Sequence, residues 1–240
     1  MRTYFAPSVM ALDEEGFRRY LKKNGRPESK IEFDIRNMRN FEEYLLKHKG
    51  KKLEEAAPND LQDFVNWAEE TGLKIWLWVF NRYYSYVQND EMFCALNELL
   101  GIQSMKILKL KDFLGVNRQH VQALKAKGVS TAEQILDEGR TRERREKLAE
   151  KTRVPLDYIL ELVKLANLSR IPGLKKKRAR LYYDAGLDTL EKIAKSDPEK
   201  MRQMLIEFVD RTGFEGSAPP IFEAVFSIKM ARYLPKIVEY

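Results

Sequence analysis

The sequence predicts an all-α fold, with a helical bundle over residues 1–105 and a duplicated helical domain over residues 106–240. Three observations carry this expectation. Apolar residues recur at helical spacing along most of the chain, and strand-like alternation is almost absent. Pro, Gly and short polar residues fall at the ends of the periodic stretches, where helices start and stop. The second half also matches itself at a constant offset of 58 positions, a sign of duplication.

Asp13 to Asn24 predicts a first helix, with Gly25 as its stop. Pro27 opens a long second helix that places Ile31, Ile35, Met38, Leu45 and Leu46 broadly on one stripe and ends at Gly50. Lys49-Gly50-Lys51-Lys52 reads as a polar connector. Asn59 or Asp60 caps a third helix through Glu70, closed by Gly72. Leu73 to Gln88 predicts a fourth helix, rich in aromatic residues. Its Trp76, Phe80, Tyr83 and Val87 follow core spacing, whereas Trp78, Arg82 and Tyr86 fall on another face. That second face either packs on a neighbouring helix or offers a base-stacking platform. Asn89-Asp90 caps a fifth helix ending at Gly101, and the joint between the domains is expected at Gly101–Lys109.

In the second half Leu114-Gly115-Val116 matches Pro172-Gly173-Leu174, and Gly128-Val129-Ser130-Thr131 matches Gly186-Leu187-Asp188-Thr189. Glu133 and Ile135 match Glu191 and Ile193. The copies span about 112–167 and 170–233. Each predicts a turn, a short helix stopped at Gly128 or Gly186, and then a capping box, Ser130 with Glu133 or Asp188 with Glu191. Two more helices follow, Thr141–Thr152 and Pro155–Asn167, or Pro198–Thr212 and Pro220–Tyr233.

Charge is divided unevenly. Residues 1–105 carry 15 Lys and Arg against 17 Asp and Glu; residues 106–240 carry 28 against 19, a net of +9 out of the chain's +7 total. Anionic partners are therefore expected of the second half. The one cysteine, Cys94, lies in an apolar run, excludes an intrachain disulfide and reads as a small buried side chain. No apolar run is long enough to span a membrane. Met1–Pro7 does not read as a signal peptide, so a cytoplasmic protein is expected.

The segment Leu168–Gly186 resembles a helix-hairpin-helix motif. Pro172, Gly173, Leu174, Ala179 and Gly186 fit its pattern, and Lys175 replaces the usual second glycine. In the first copy Gly115, Val116, Ala123 and Gly128 keep similar roles, with Asn117 at the second glycine. Residues 106–240 as a whole resemble a family of uncharacterised tandem helix-hairpin-helix domains found in prokaryotes. The resemblance implies nucleic-acid binding without sequence reading, with hairpin N–H groups on phosphates. The implied contacts are Gly115, Val116, Asn117 and Arg118 in one copy. In the other they are Gly173, Leu174 and the cluster Lys175, Lys176, Lys177, Arg178 and Arg180. The alternative is a hairpin used for protein packing, its lysines merely solvated. The first half is similar, in helical pattern, to the SAM-like core-binding domain of tyrosine recombinases, through Phe17–Leu21, Ser29–Leu46, Leu61–Glu70 and Arg82–Tyr86. That family's catalytic Arg, His and Tyr set does not follow.

His48 and His120 are the only histidines, and one cysteine with two distant histidines makes no ordinary zinc site. No phosphate-cradling glycine loop occurs. The run Arg140, Arg142, Arg144, Arg145 reads as a solvated helix face or a secondary phosphate track. The sequence thus leads to a non-enzymatic DNA-binding protein, DNA rather than RNA, with no catalytic residue, metal or cofactor, as an accessory to repair, recombination or DNA uptake. The competing class is a protein-interaction scaffold.

Overall fold

The computed structural model describes residues 12–24 and 26–240, with Gln103 in its backbone alone. The opening Met1–Pro7 and the helix stop at Gly25 lie outside the described residues. The fold is all-α: among the described residues there are 13 α-helices and no strand, and one isolated bridge pairs Lys109 with Thr131. The chain divides into two compact units, the first ending at Leu96 and the second running from Asn97 to Tyr240.

The first unit begins with α1 (Glu14–Lys23), capped by the Asp13 carboxylate on the Gly16 N–H. Next is α2 (Glu28–Tyr44), which continues as a wider π turn over Leu45–Lys49 and ends at Gly50. The third helix, α3 (Pro58–Thr71), starts at Pro58 instead of after Asn59 or Asp60. A proline suits the first helical position because its missing N–H would have no partner there. Asp60 still serves this helix start, since its carboxylate accepts from the Ala57 N–H at 2.8 Å. Phe41 packs 5.0 Å from Phe64 and edge-on, 5.5 Å from Phe80, and all three are fully buried. Burial of each such ring contributes about 2–3 kcal/mol.

The aromatic helix is shorter than the sequence predicts. It runs over Leu77–Tyr86 (α4), and Trp76 is extended, its N–H donating to the Asn37 side chain. Trp76 therefore leaves the core stripe and is 57% exposed; Val87, past the last turn, is exposed too. Phe80 and Tyr83 are core, as expected. On the second face Trp78 is 53% exposed. Arg82, by contrast, turns toward Asp34, a buried carboxylate already held by both Arg26 nitrogens at 2.8 Å.

The fifth helix, α5 (Asp90–Ile107), does not end at Gly101, and the boundary between the units falls inside it. Gly101 is there for space. A Cβ at this position would lie 2.3 Å from the backbone oxygen of Arg170. A helical glycine marks close backbone approach here, not a stop.

The second unit then runs through two sets of four helices. The first is α6 (Arg118–Ala126), α7 (Ala132–Glu138), α8 (Arg142–Thr152) and α9 (Leu156–Leu168). The second is α10 (Lys176–Asp184), α11 (Leu190–Ala194), α12 (Pro198–Thr212) and α13 (Ile221–Tyr233). α9 and α13 each line the core, with Ile159, Leu162, Val163 and Ala166 on one and Ala224, Ile228, Met230 and Ala231 on the other. α7 packs on α9, and α11 on α13. The caps of α7 and α11 lie one residue beyond those predicted. They are Thr131, whose hydroxyl accepts from the Gln134 N–H, and Thr189, which accepts from that of Lys192. The Ser130 hydroxyl stays at the start of α7 but donates to the Gln134 side-chain oxygen at 3.1 Å instead of accepting a backbone N–H, and Asp188 pairs with Lys164 at 2.6 Å.

Candidate functional site

The two turns that precede α6 and α10 differ in how their backbone donors are used. Both contain a left-handed glycine, Gly115 at φ 74° and Gly173 at φ 95°, a conformation that glycine adopts without the steric cost a Cβ brings. At the first turn Asn117 is not left-handed; it has φ −71° and caps α6. Its side-chain oxygen accepts from the N–H groups of Gln119 (2.9 Å) and His120 (3.2 Å). Its own N–H donates to the Tyr158 hydroxyl at 2.6 Å. The His120 ring lies 4.8 Å from that of Tyr158. Val116 is half-buried and Arg118 is exposed.

At the second turn Ile171 and Leu174 are buried and anchor the loop, while Gly173, Lys175, Lys176 and Lys177 are exposed. Lys175 is extended, at φ −117°, so replacing the motif's second glycine brings no strain at that residue; the positive φ, 38°, falls on Lys176. No side chain caps α10. The first-turn N–H groups of a helix have no partner within the helix and carry a partial positive charge.

The basic cluster is split by the fold. Among the described residues Lys175 and Lys176 form no ion pair, and exposed Lys177 reaches Glu215. Arg178 is half-buried and pairs with Glu223 at 2.9 Å. Arg180 is 7% exposed and is committed internally. It donates to the Leu114 carbonyl at 2.8 Å and to Glu161 at 2.6 Å, and lies 3.3 Å from Asp184. Burial works against its charge, but Glu161 and Asp184 outweigh burial and raise its pKa. Arg180 thus ties the first turn to α10, one helical turn beyond the second turn. The two turns are brought to the same helix.

The buried position at the helix crossing is Ala179 in the second copy and Val121 in the first; Ala123, predicted to play that part, is half-exposed. The arginine run on α8 is also engaged. Arg145 is buried on the Gly139 carbonyl at 2.8 Å, Arg142 pairs with Glu146, Arg144 donates to the Asp137 carbonyl, and Arg140 pairs with Asp137.

One feature escaped the sequence. A cleft of about 620 Å³ opens beside α6, lined by Lys109, Lys111, Asp112, Arg118, Val121 and Lys125. Its four cations are exposed and form no ion pair among the described residues. The signal was partly readable: Lys109 and Lys111 flank the start of a short 3-10 turn, Leu110–Asp112, and Arg118 and Lys125 are two helical turns apart. Elsewhere, no three His, Cys, Asp or Glu side chains are placed to hold a metal ion among the described residues. No helix described is long and apolar enough to cross a membrane.

Fold and site together define an all-α protein whose second unit repeats one four-helix arrangement and exposes cations around its turns. Residues 114–234 match the family model described as a domain of unknown function, DUF4332, and the chain belongs to that family. Comparison with curated proteins and with solved structures returned no match.

Proposed function

We propose that the second unit binds nucleic-acid phosphates without reading base sequence, DNA rather than RNA. It acts as a non-enzymatic cytoplasmic accessory to repair, recombination or DNA uptake. The resemblance of Leu168–Gly186 to helix-hairpin-helix motifs supports this reading, as does the net +9 of residues 106–240. One contrast carries it: α6 is capped by Asn117, whereas α10 starts uncapped beneath Lys175, Lys176 and Lys177. A helix start of this kind suits a phosphate oxygen. The left-handed Lys176 costs on the order of 1 kcal/mol or more, strain of a sort that gathers at ligand contacts. The second turn is accordingly the main contact and the first, Gly115 to Arg118, a weaker one. The recombinase-like helical pattern of the first half brings no catalytic residue, and its acidic balance assigns it no strong DNA contact.

Fluorescence anisotropy with duplex, single-stranded and branched DNA tests the reading across salt concentrations. Each phosphate neutralised on a duplex contributes roughly −0.9 to the log–log salt slope. K175A/K176A/K177A should weaken binding to every sequence alike and flatten that slope by roughly one to three units, with circular dichroism unchanged. Wild-type binding by this variant to all three DNAs removes the turn as the contact.

A second reading, a protein-interaction scaffold, draws on α13. Ile221, Phe222 and Val225 are exposed there, Phe222 by 72%, beside the Glu223 that holds Arg178. Capture of one partner that survives high salt and is lost in F222S would favour it.

A further inference from the structure

We propose that the cleft beside α6 is a binding site for a nucleoside phosphate, either a free nucleotide or one residue of a strand. The inference does not depend on the Gly173–Lys175 turn. The cleft's volume, about 620 Å³, falls within the roughly 300–1,000 Å³ usual for small-ligand sites. Lys109, Lys111, Arg118 and Lys125 outnumber its single carboxylate, Asp112, four to one. Elsewhere in the second unit many cations are spent on partners: Lys164 and Lys192 on Asp188, Arg142 on Glu146, Arg178 on Glu223, Arg180 on Glu161. The cleft's cations are left to an anion from outside. Arg118 has the fork geometry that grips a phosphate with two bonds, and lysine ammonium groups bind it as point charges. Val121 supplies an apolar floor. Gln122 and Ser130 add hydrogen-bonding groups at its edge. An apolar floor with a cationic rim suits a flat base carrying a phosphate better than a bare inorganic ion.

The repeat supplies an independent argument. Fifty-eight positions on, Lys109 and Ser130 correspond to Asn167 and Asp188, and Lys111 corresponds to Ser169. There the C-terminal residues of the chain bond to the end of α9 and the residues after it. The Tyr240 hydroxyl accepts from the Asn167 amide at 2.8 Å, and its ring lies 5.4 Å from the Lys164 ammonium. The Pro235 carbonyl accepts from Arg170 at 2.9 Å, and Asn167, Ser169 and Arg170 are all buried. At these positions the second copy satisfies Asn167 and Ser169 within the chain, whereas the first copy has Lys109 and Lys111, exposed and without an ion pair among the described residues. A phosphate supplies the charge that these lysines lack.

The test titrates wild type, K109A/K111A/K125A, and the charge-matched control K127A/K147A/K151A, whose exposed lysines lie outside the cleft. The probes are AMP by calorimetry and a fluorescein-labelled ten-residue oligothymidylate by anisotropy. Each variant is first checked for an unchanged melting temperature. Loss of affinity by about tenfold or more in the cleft variant alone supports the site. AMP binding to wild type identifies a free nucleotide as sufficient; binding of the oligonucleotide alone identifies a strand residue. Equal losses in the cleft variant and the control, no loss in either, or no binding of either probe to wild type would overturn the site. K175A/K176A/K177A separates the two contacts. An effect there with none in the cleft variant leaves the turn standing and removes the cleft, and the reverse pattern removes the turn.

Discussion

Arg180 distinguishes a phosphate ligand from an internal tie, and R180M decides between them. Methionine keeps much of the aliphatic stem in place and removes the guanidinium. The Leu114 carbonyl then loses its 2.8 Å donor, Glu161 its 2.6 Å partner and Asp184 a weaker one at 3.3 Å. A buried acceptor left without a partner costs about 1–3 kcal/mol, and breaking a fully buried ion pair about 3–5 kcal/mol. The Glu161 and Asp184 side chains are partly exposed and can recruit water, so the lower part of that range applies. R180M should therefore lose about 2–3 kcal/mol, and at about 2–4 °C per kcal/mol its melting temperature should fall by roughly 5–10 °C.

Thermal unfolding followed by circular dichroism, with urea titration beside it, reads this directly. Adding E161Q to R180M removes the stranded carboxylate and should recover about 1 kcal/mol, the coupling expected of residues in direct contact. An R180M protein that melts with wild type yet binds DNA more weakly would refute the reasoning, because Arg180 would then face the ligand and not Leu114 and Glu161.

Three further outcomes follow from the same geometry. Adding a methyl at Gly101, 2.3 Å from the Arg170 carbonyl oxygen, should destabilise the protein by about 2 kcal/mol in G101A, despite the better helix propensity of alanine; a more stable G101A would mean that α5 and Arg170 are not in contact. Burial works against the Asp60 carboxylate, but Lys51 at 2.8 Å and the Ala57 N–H outweigh it and hold its pKa below the usual 3.8. A depressed carboxylate pKa contributes stability above 3.8 that is lost as pH falls through the folded value. D60N should accordingly be less stable than wild type by about 1 kcal/mol at neutral pH, with the gap closing in acid; a gap independent of pH would sink that account. Substituting Tyr240 by Ala removes the Asn167 bond and should lower the melting temperature measurably, whereas an unchanged melt would show that the second copy does not need that bond.

Much of the fold was legible because helix ends are written in local chemistry. Pro27, Asp13, Thr141 and Pro198 sit where chain geometry alone demands them. What failed was decided by distant contacts. Gly101 reads as a stop until the Arg170 backbone is placed against it. Trp76 reads as core until the Asn37 side chain holds its N–H in an extended segment. Asp188 looks like a cap as good as the threonine after it, and only its partner, Lys164, decides the matter. The Lys175–Arg180 cluster is contiguous in sequence, yet a helix points neighbouring residues to different sides, so its lysines face solvent while Arg178 and Arg180 turn to Glu223 and Glu161.

Duplication explains why the cleft was harder to read than the turns. Two copies that share element order and left-handed glycines invite the assumption that they share their contacts, and they do not. The first copy spends its hairpin donors on its own Asn117 and Tyr158 and keeps Lys109, Lys111, Arg118 and Lys125 unpaired. The second leaves its helix start uncapped and bonds Asn167 to Tyr240. Arg180, bonded to the first turn from within the helix that the second turn begins, fixes the two turns against one another. Two unlike cationic surfaces held in a fixed relation can engage two points of one polyanion at once. The second contact then forms at the effective concentration set by the first. Losing either should therefore weaken binding by more than that contact's own affinity suggests, and R180M, which loosens the tie without touching an exposed cation, should reduce the joint binding while leaving AMP affinity at the cleft unchanged.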